Sequence, residues 1–195
     1  EPVKLELISQ RIKEINASGV ISCVSVTPQR TELFSQYFLE SELDLLVIQG
    51  TVVTAEHVSQ TKEPLNLKTF VRDFPIPTIV GGCASYEAAL HLMRTGAAGV
   101  LVGVGPGHAC TTRAVLGIGV PQATAIADAQ AARTRHLDET GAYVHVIADG
   151  GMATGGDIAK AIVCGADAVM IGSPLAAASE APGQGSHWGM ATFHP

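Results

Sequence analysis

The chain has 195 residues, 47% of them hydrophobic, 15% charged and 5% aromatic, and its formal net charge is -6. That apolar share is ample for a core and excludes a disordered chain, while the absence of a Lys/Arg cluster denies a non-specific nucleic-acid binder its basic footprint. No apolar run reaches the roughly 20 residues of a membrane span, and the scarcity of aromatics argues against sandwiches and propellers.

The opening Glu1-Pro2-Val3-Lys4 lacks the basic and apolar regions of a signal peptide. Leu5–Ala17 carries Leu5, Ile8, Ile12 and Ile15 on one 3.6-residue stripe and predicts a helix. Short apolar runs at 20–26 and 43–48 predict two strands, and 78–81 a third. A helix is expected over 86–95, after the N-cap candidate Ser85 and before Gly96. Strand 99–103, an Ala-rich helix over 124–139, strand 144–148, a helix over 157–164 ending at Gly165, and strand 168–171 complete the series.

Twice a helix runs through a Gly-Ala turn into a strand, at Gly96-Ala97-Ala98-Gly99-Val100 and at Gly165-Ala166-Asp167-Ala168-Val169. This is the pattern of stacked βα units. Six such units in one domain, residues 1–195, favour an α/β (βα)8 TIM barrel over a doubly wound sheet. A whole barrel takes about 250 residues, so the barrel is expected to be incomplete, with strands three to eight present and the first two absent. The cysteines (Cys23, Cys83, Cys110 and Cys164) are widely spread with no C-x-x-C, and the histidines lack ligand spacing. Neither a zinc site nor a disulfide framework is indicated, and a reducing, cytoplasmic setting is expected.

Chemistry in such folds sits at the carboxyl ends of the strands. Three segments fall there. In Gly103-Val104-Gly105-Pro106-Gly107-His108-Ala109-Cys110-Thr111-Thr112-Arg113 a tight loop displays Cys110 beside hydroxyl and cationic neighbours. Such a cysteine acts as a nucleophile; the competing reading is a small buried hydrophobe. His108 is either a base or a plain exposed loop histidine. In Ile147-Ala148-Asp149-Gly150-Gly151 the carboxylate either accepts ribose hydroxyls or caps the next helix. In Met170-Ile171-Gly172-Ser173-Pro174 the last two polar groups either hold a phosphate or form an ordinary turn. Met93 lies on a helix stripe with Leu90 and reads as core; Trp188 either packs or reaches a ligand.

The loop around Cys110, together with Gly119-Val120-Pro121-Gln122-Ala123-Thr124-Ala125, Ile147-Ala148-Asp149-Gly150-Gly151, Gly172-Ser173, Glu180-Ala181-Pro182-Gly183 and Gly189-Met190, resembles the IMP dehydrogenase/GMP reductase family over residues 44–192. The wording is similar to a bacterial branch described as IMP dehydrogenase-related. The resemblance implies that Cys110 attacks purine C2 of a 5′-monophosphate and that Thr112 assists proton transfer. It implies ribose binding by Asp149, phosphate binding by Gly151, Gly172 and Ser173, and contacts to phosphate and base by His187, Gly189 and Met190. Gln49, Gly103 and Gly105 fall on cofactor positions for NAD or NADP. Carbonyls of Gly105, Gly107 and Cys110 match a potassium site. A homo-oligomer, tetramer or octamer, is implied as well.

Some residues depart from the family pattern. His108 replaces a phosphate-binding serine, Leu101 a basic residue, Gln49 an aspartate that faces the nicotinamide ribose, and Gly82 an asparagine. The segments that separate dehydrogenase from reductase would follow Pro195, and a regulatory insert would precede Glu1. Gly119-Val120-Pro121 and Glu180-Ala181-Pro182-Gly183 read as dehydrogenase, so oxidation of IMP to XMP is the expectation. GMP reduction with NADPH, or purine-nucleotide binding without turnover, are the alternatives.

Overall fold

The structure, a computed structural model, describes residues 3–50, 52–55 and 64–187. Six strands form one parallel sheet: β1 (Cys23–Val26), β2 (Leu45–Gln49), β3 (Thr78–Cys83), β4 (Gly99–Val102), β5 (His145–Asp149) and β6 (Ala168–Met170). Each strand pairs with its neighbour in sequence, in the order β1-β2-β3-β4-β5-β6. A doubly wound sheet would reverse direction at a switch point; this one never does. The strands are an arc of a (βα)8 barrel, open between β1 and β6.

Burial follows position in the arc. Every residue of β4 is buried, as a parallel strand covered on both faces requires, whereas β1 and β6 carry exposed and half-buried residues. Register sets the upper rim: Gln49 lies opposite Gly81, and Asp149 opposite Met170. The lower rim is held by two carboxylates. Asp44 accepts from the Ser22 backbone N–H at 2.8 Å, and Asp167 accepts from the Val146 N–H at 2.8 Å. Arg133 and Tyr143 converge on the same Asp167, at 2.5 and 2.6 Å. These contacts draw the carboxylate below its ordinary range despite the opposing effect of partial burial.

Eight helices accompany the strands among the described residues. They are α1 (Leu5–Ala17), α2 (Pro28–Glu40), α3 (Leu67–Asp73), α4 (Tyr86–Met93), α5 (Thr112–Leu116), α6 (Gln122–Thr140), α7 (Gly155–Val163) and α8 (Ser173–Ala176). The expected helices all form. Ser85 caps α4 by accepting from the Ala88 N–H, and Met93 is fully buried. In α7 Thr154 and Asp157 form a reciprocal capping box, and the Lys160 ammonium, together with the Thr154 hydrogen bonds, lowers the pKa of the half-buried Asp157 to about 2. Helix α6 turns Ala125, Ala129 and Ala132 inward, so it approaches its neighbours closely.

Four helices are additional to the sequence reading: α2, α3, α5 and α8. In α2, Phe34 and Phe38 pack edge to face with centroids 6.5 Å apart, but Leu33 and Leu39 face solvent and blur the stripe. The other three are short, and α3 is set by Asn66 accepting from the Thr69 N–H. The first strand starts at Cys23 instead of residue 20, leaving Val20 and Ile21 exposed. The core runs through Ile12, Phe38, Leu46, Ile48, Val80, Leu92, Val100 and Ile126, all nearly inaccessible. Among the described residues no helix is long and apolar enough to cross a membrane.

Candidate active site

A cleft of about 710 Å³ opens where β2, β4, β5 and β6 end. That volume lies within the range of small-molecule sites. Its walls include Cys110 and Thr112 from the β4 loop, Asp149 and Gly151 after β5, Gly172 and Ser173 after β6, and His187. Gln49, Gly103, Gly105 and Gly107 also line it. The remaining candidates, Gly189 and Met190, lie outside the described residues, as does Trp188.

Cys110 is exposed. Its Sγ donates to Thr112 Oγ1 at 3.2 Å, and its N–H donates to the Gly107 carbonyl at 3.1 Å, so a turn fixes the thiol's base. Cys83 is its opposite. It is buried, its Sγ donates to the Leu101 carbonyl, and burial pushes its thiol up to about 12. Arg113, expected to be a cationic neighbour of the thiol, instead spends its guanidinium on the Val104 and Val120 carbonyls at 3.1 and 2.7 Å. It staples the two ends of the loop together.

Two glycines permit the approach of this loop to the β5 turn. Gly103 has φ +147°, and a Cβ there would collide with the Asp149 carbonyl. Gly150 has φ +86°, and a Cβ there would sit 3.0 Å from the Gly107 nitrogen. Gln122, at the start of α6, joins the same two segments by donating to the Val102 carbonyl at 2.6 Å and, more weakly, to the Asp149 carbonyl at 3.4 Å. Replacing Gly103 with Ala is expected to cost about 2–4 kcal/mol through strain and overlap. A lowered Tm in thermal unfolding checks this.

Asp149 is half-buried. Burial raises its carboxyl above the ordinary range, and a hydrogen bond from Gln49 offsets part of the rise. Gln49 Nε2 donates to Asp149 Oδ2 at 2.9 Å. Across the cleft Ser173 Oγ and His187 Nε2 are 3.0 Å apart, and His108 lies over His187 with ring centroids 6.4 Å apart. A Cβ on Gly172 would touch nothing within 4 Å, so its backbone faces open space. Residue type gives no sign of the Gln122 role and marks Arg113 only as a cation near the thiol; both roles arise from contacts with backbone carbonyls.

An arc of a (βα)8 barrel with a thiol, a carboxylate and glycine-rich turns around one cleft defines a class: barrel proteins equipped for a small polar ligand at the strand ends. The model of the IMP dehydrogenase / GMP reductase domain matches residues 10–191. The chain belongs to that family. An uncharacterized oxidoreductase of Mycobacterium tuberculosis is 52% identical over all of the chain, which covers 52% of that protein. Inosine-5′-monophosphate dehydrogenase of Methanocaldococcus jannaschii is 44% identical over 75% of the chain and 28% of its own length. The crystal structure of an IMP dehydrogenase/GMP reductase-like protein from Corynebacterium glutamicum superposes with a TM-score of 0.86 at 49% identity, covering 94% of this chain and 47% of that one. The chain thus spans about half the length of the mycobacterial relative.

Proposed function

We propose that residues 1–195 form part of a single catalytic barrel domain of an NAD(P)-dependent oxidoreductase that converts IMP to XMP. The observation that carries this reading is the gathering of Cys110, Asp149 and Ser173 around one cleft. Glycine-rich turns offer N–H dipoles to a phosphate, Asp149 accepts from a ribose diol, and the two contacts together place purine C2 against the sulfur.

In the first step the sulfur of Cys110 adds to C2 while the thiol proton passes, through the Thr112 hydroxyl that accepts it in a hydrogen bond, to the adjacent purine nitrogen N3. Loss of hydride from C2 leaves a thioimidate carbon–sulfur bond. Water then attacks C2, the carbon–sulfur bond breaks, and XMP leaves while the thiol is restored. The adduct divides one difficult substitution into two easier ones. A bound nicotinamide would supply the hydride acceptor. Gln49, Gly103 and Gly105 line the same cleft as Cys110 and are the residues that would flank such a group. The potassium set fits less well, since the Gly107 carbonyl already accepts the Cys110 N–H, and no step is assigned to a cation.

The full-length protein incubated with IMP and NAD should gain absorbance at about 340 nm, the reduced-nicotinamide band. A loss of absorbance with GMP and NADPH, and no gain with IMP, would reassign the direction to reduction. No change in either assay would leave a binding module and remove the enzymatic reading.

A further inference from the structure

Gln49 ends β2 and Asp149 ends β5, 100 residues apart in sequence, with β3 and β4 between them in the sheet. Their contact therefore crosses the barrel mouth instead of following a strand ladder. Its geometry is good: Nε2 to Oδ2 at 2.9 Å. The amide is oriented from its other end, where Ser25 Oγ on β1 donates to Gln49 Oε1 at 3.2 Å. An amide whose oxygen accepts from a hydroxyl has its N–H₂ directed by that bond.

We propose that Gln49 is a positioning residue that holds the Asp149 carboxylate in place for the nucleotide ribose, with Ser25 holding Gln49. This rests on the mononucleotide reading above. Among the described residues, no other side chain donates to the Asp149 carboxylate; Gln122 reaches only its backbone carbonyl. The other titratable groups lining the cleft are Cys110, His108 and His187, and none is hydrogen-bonded to that carboxylate. Burial works against the charge on Asp149 and the Gln49 N–H works for it. An acid at position 49 would have no proton to donate and would repel the carboxylate. The amide thus turns a residue on the cofactor side of the cleft toward the substrate side.

The test measures IMP binding to the full-length protein by calorimetry, without cofactor, from about pH 4.5 to 8.5. The variants are Gln49→Met, Gln49→Glu and Ser25→Ala. Loss of one hydrogen bond to a charged group should weaken IMP binding roughly 10-fold in Gln49→Met, more in Gln49→Glu, and about 3-fold in Ser25→Ala. The acid midpoint of the affinity profile should move to higher pH in both Gln49 variants, and KM for IMP should rise more than kcat falls. Unchanged cofactor-free affinity, with a raised KM for the nicotinamide instead, overturns the proposal. So does a lowered Tm without a shift of the midpoint, which a merely structural role would give. Wild-type protein that binds neither IMP nor GMP overturns the mononucleotide reading, and this inference with it.

Discussion

Cys110→Ala should lower kcat/KM for the nucleotide by at least about 1,000-fold while leaving nucleotide affinity within a few-fold, because it removes a bond made only during reaction. The thiol stands exposed at a loop held from three sides: by its own turn onto Gly107, by Arg113 on Val104 and Val120, and by Gln122 on Val102. None of these contacts uses the sulfur, so the variant should fold as the parent does. Mass spectrometry supplies an independent readout. A mild alkylating agent near neutral pH should label Cys110 before Cys83, whose burial keeps its thiol protonated up to about 12. Bound IMP should slow the labelling of Cys110 alone. Full turnover in Cys110→Ala would remove covalent catalysis from the mechanism.

The strands and the strand-end site were legible because both depend on local pattern. Parallel strands covered by helices read as apolar runs, and the turns that follow them carry the glycines and polar groups of the cleft. Cys110, Asp149 and Ser173 could thus be picked out one by one. Helix α2 escaped because burial of Phe34 and Phe38 is decided by what they pack on, while Leu33 and Leu39 lie exposed on the same helix. The tie between Gln49 and Asp149 escaped for a different reason: barrel curvature, not residue type, sets which strand ends meet across the mouth. Arg113 shows the same limit in reverse. Sequence proximity put a cation beside the thiol, whereas the fold directs it to two carbonyls of its own loop. Local chemistry names the participants at such a site, and only the closed geometry assigns their partners.

Asp149→Asn should move affinity and stability in opposite directions. Its carboxyl is raised from 3.8, first by burial, with the Gln49 hydrogen bond opposing. In the unliganded protein, a raised acid contributes stability that is fully present below its unfolded value and is lost as pH rises through the folded one. At neutral pH the ionised group is therefore a cost, and the asparagine variant should melt at a higher temperature than the parent. Ligand binding has the other sign. In the proposed complex a ribose diol would donate to the carboxylate and favour its charged form, so affinity should be full above the raised pKa and fall as pH drops through it. The variant should bind IMP roughly 10- to 100-fold more weakly at neutral pH, the usual effect of losing charge-assisted hydrogen bonds. Its affinity should also lose the acid-limb dependence on pH that the parent shows. Calorimetry across that range, paired with melting curves without ligand, separates the two effects. Unchanged IMP affinity at neutral pH would mean that the carboxylate does not hold the ribose. A lower melting temperature in the unliganded variant would mean that the Gln49 contact outweighs the burial that opposes the charge.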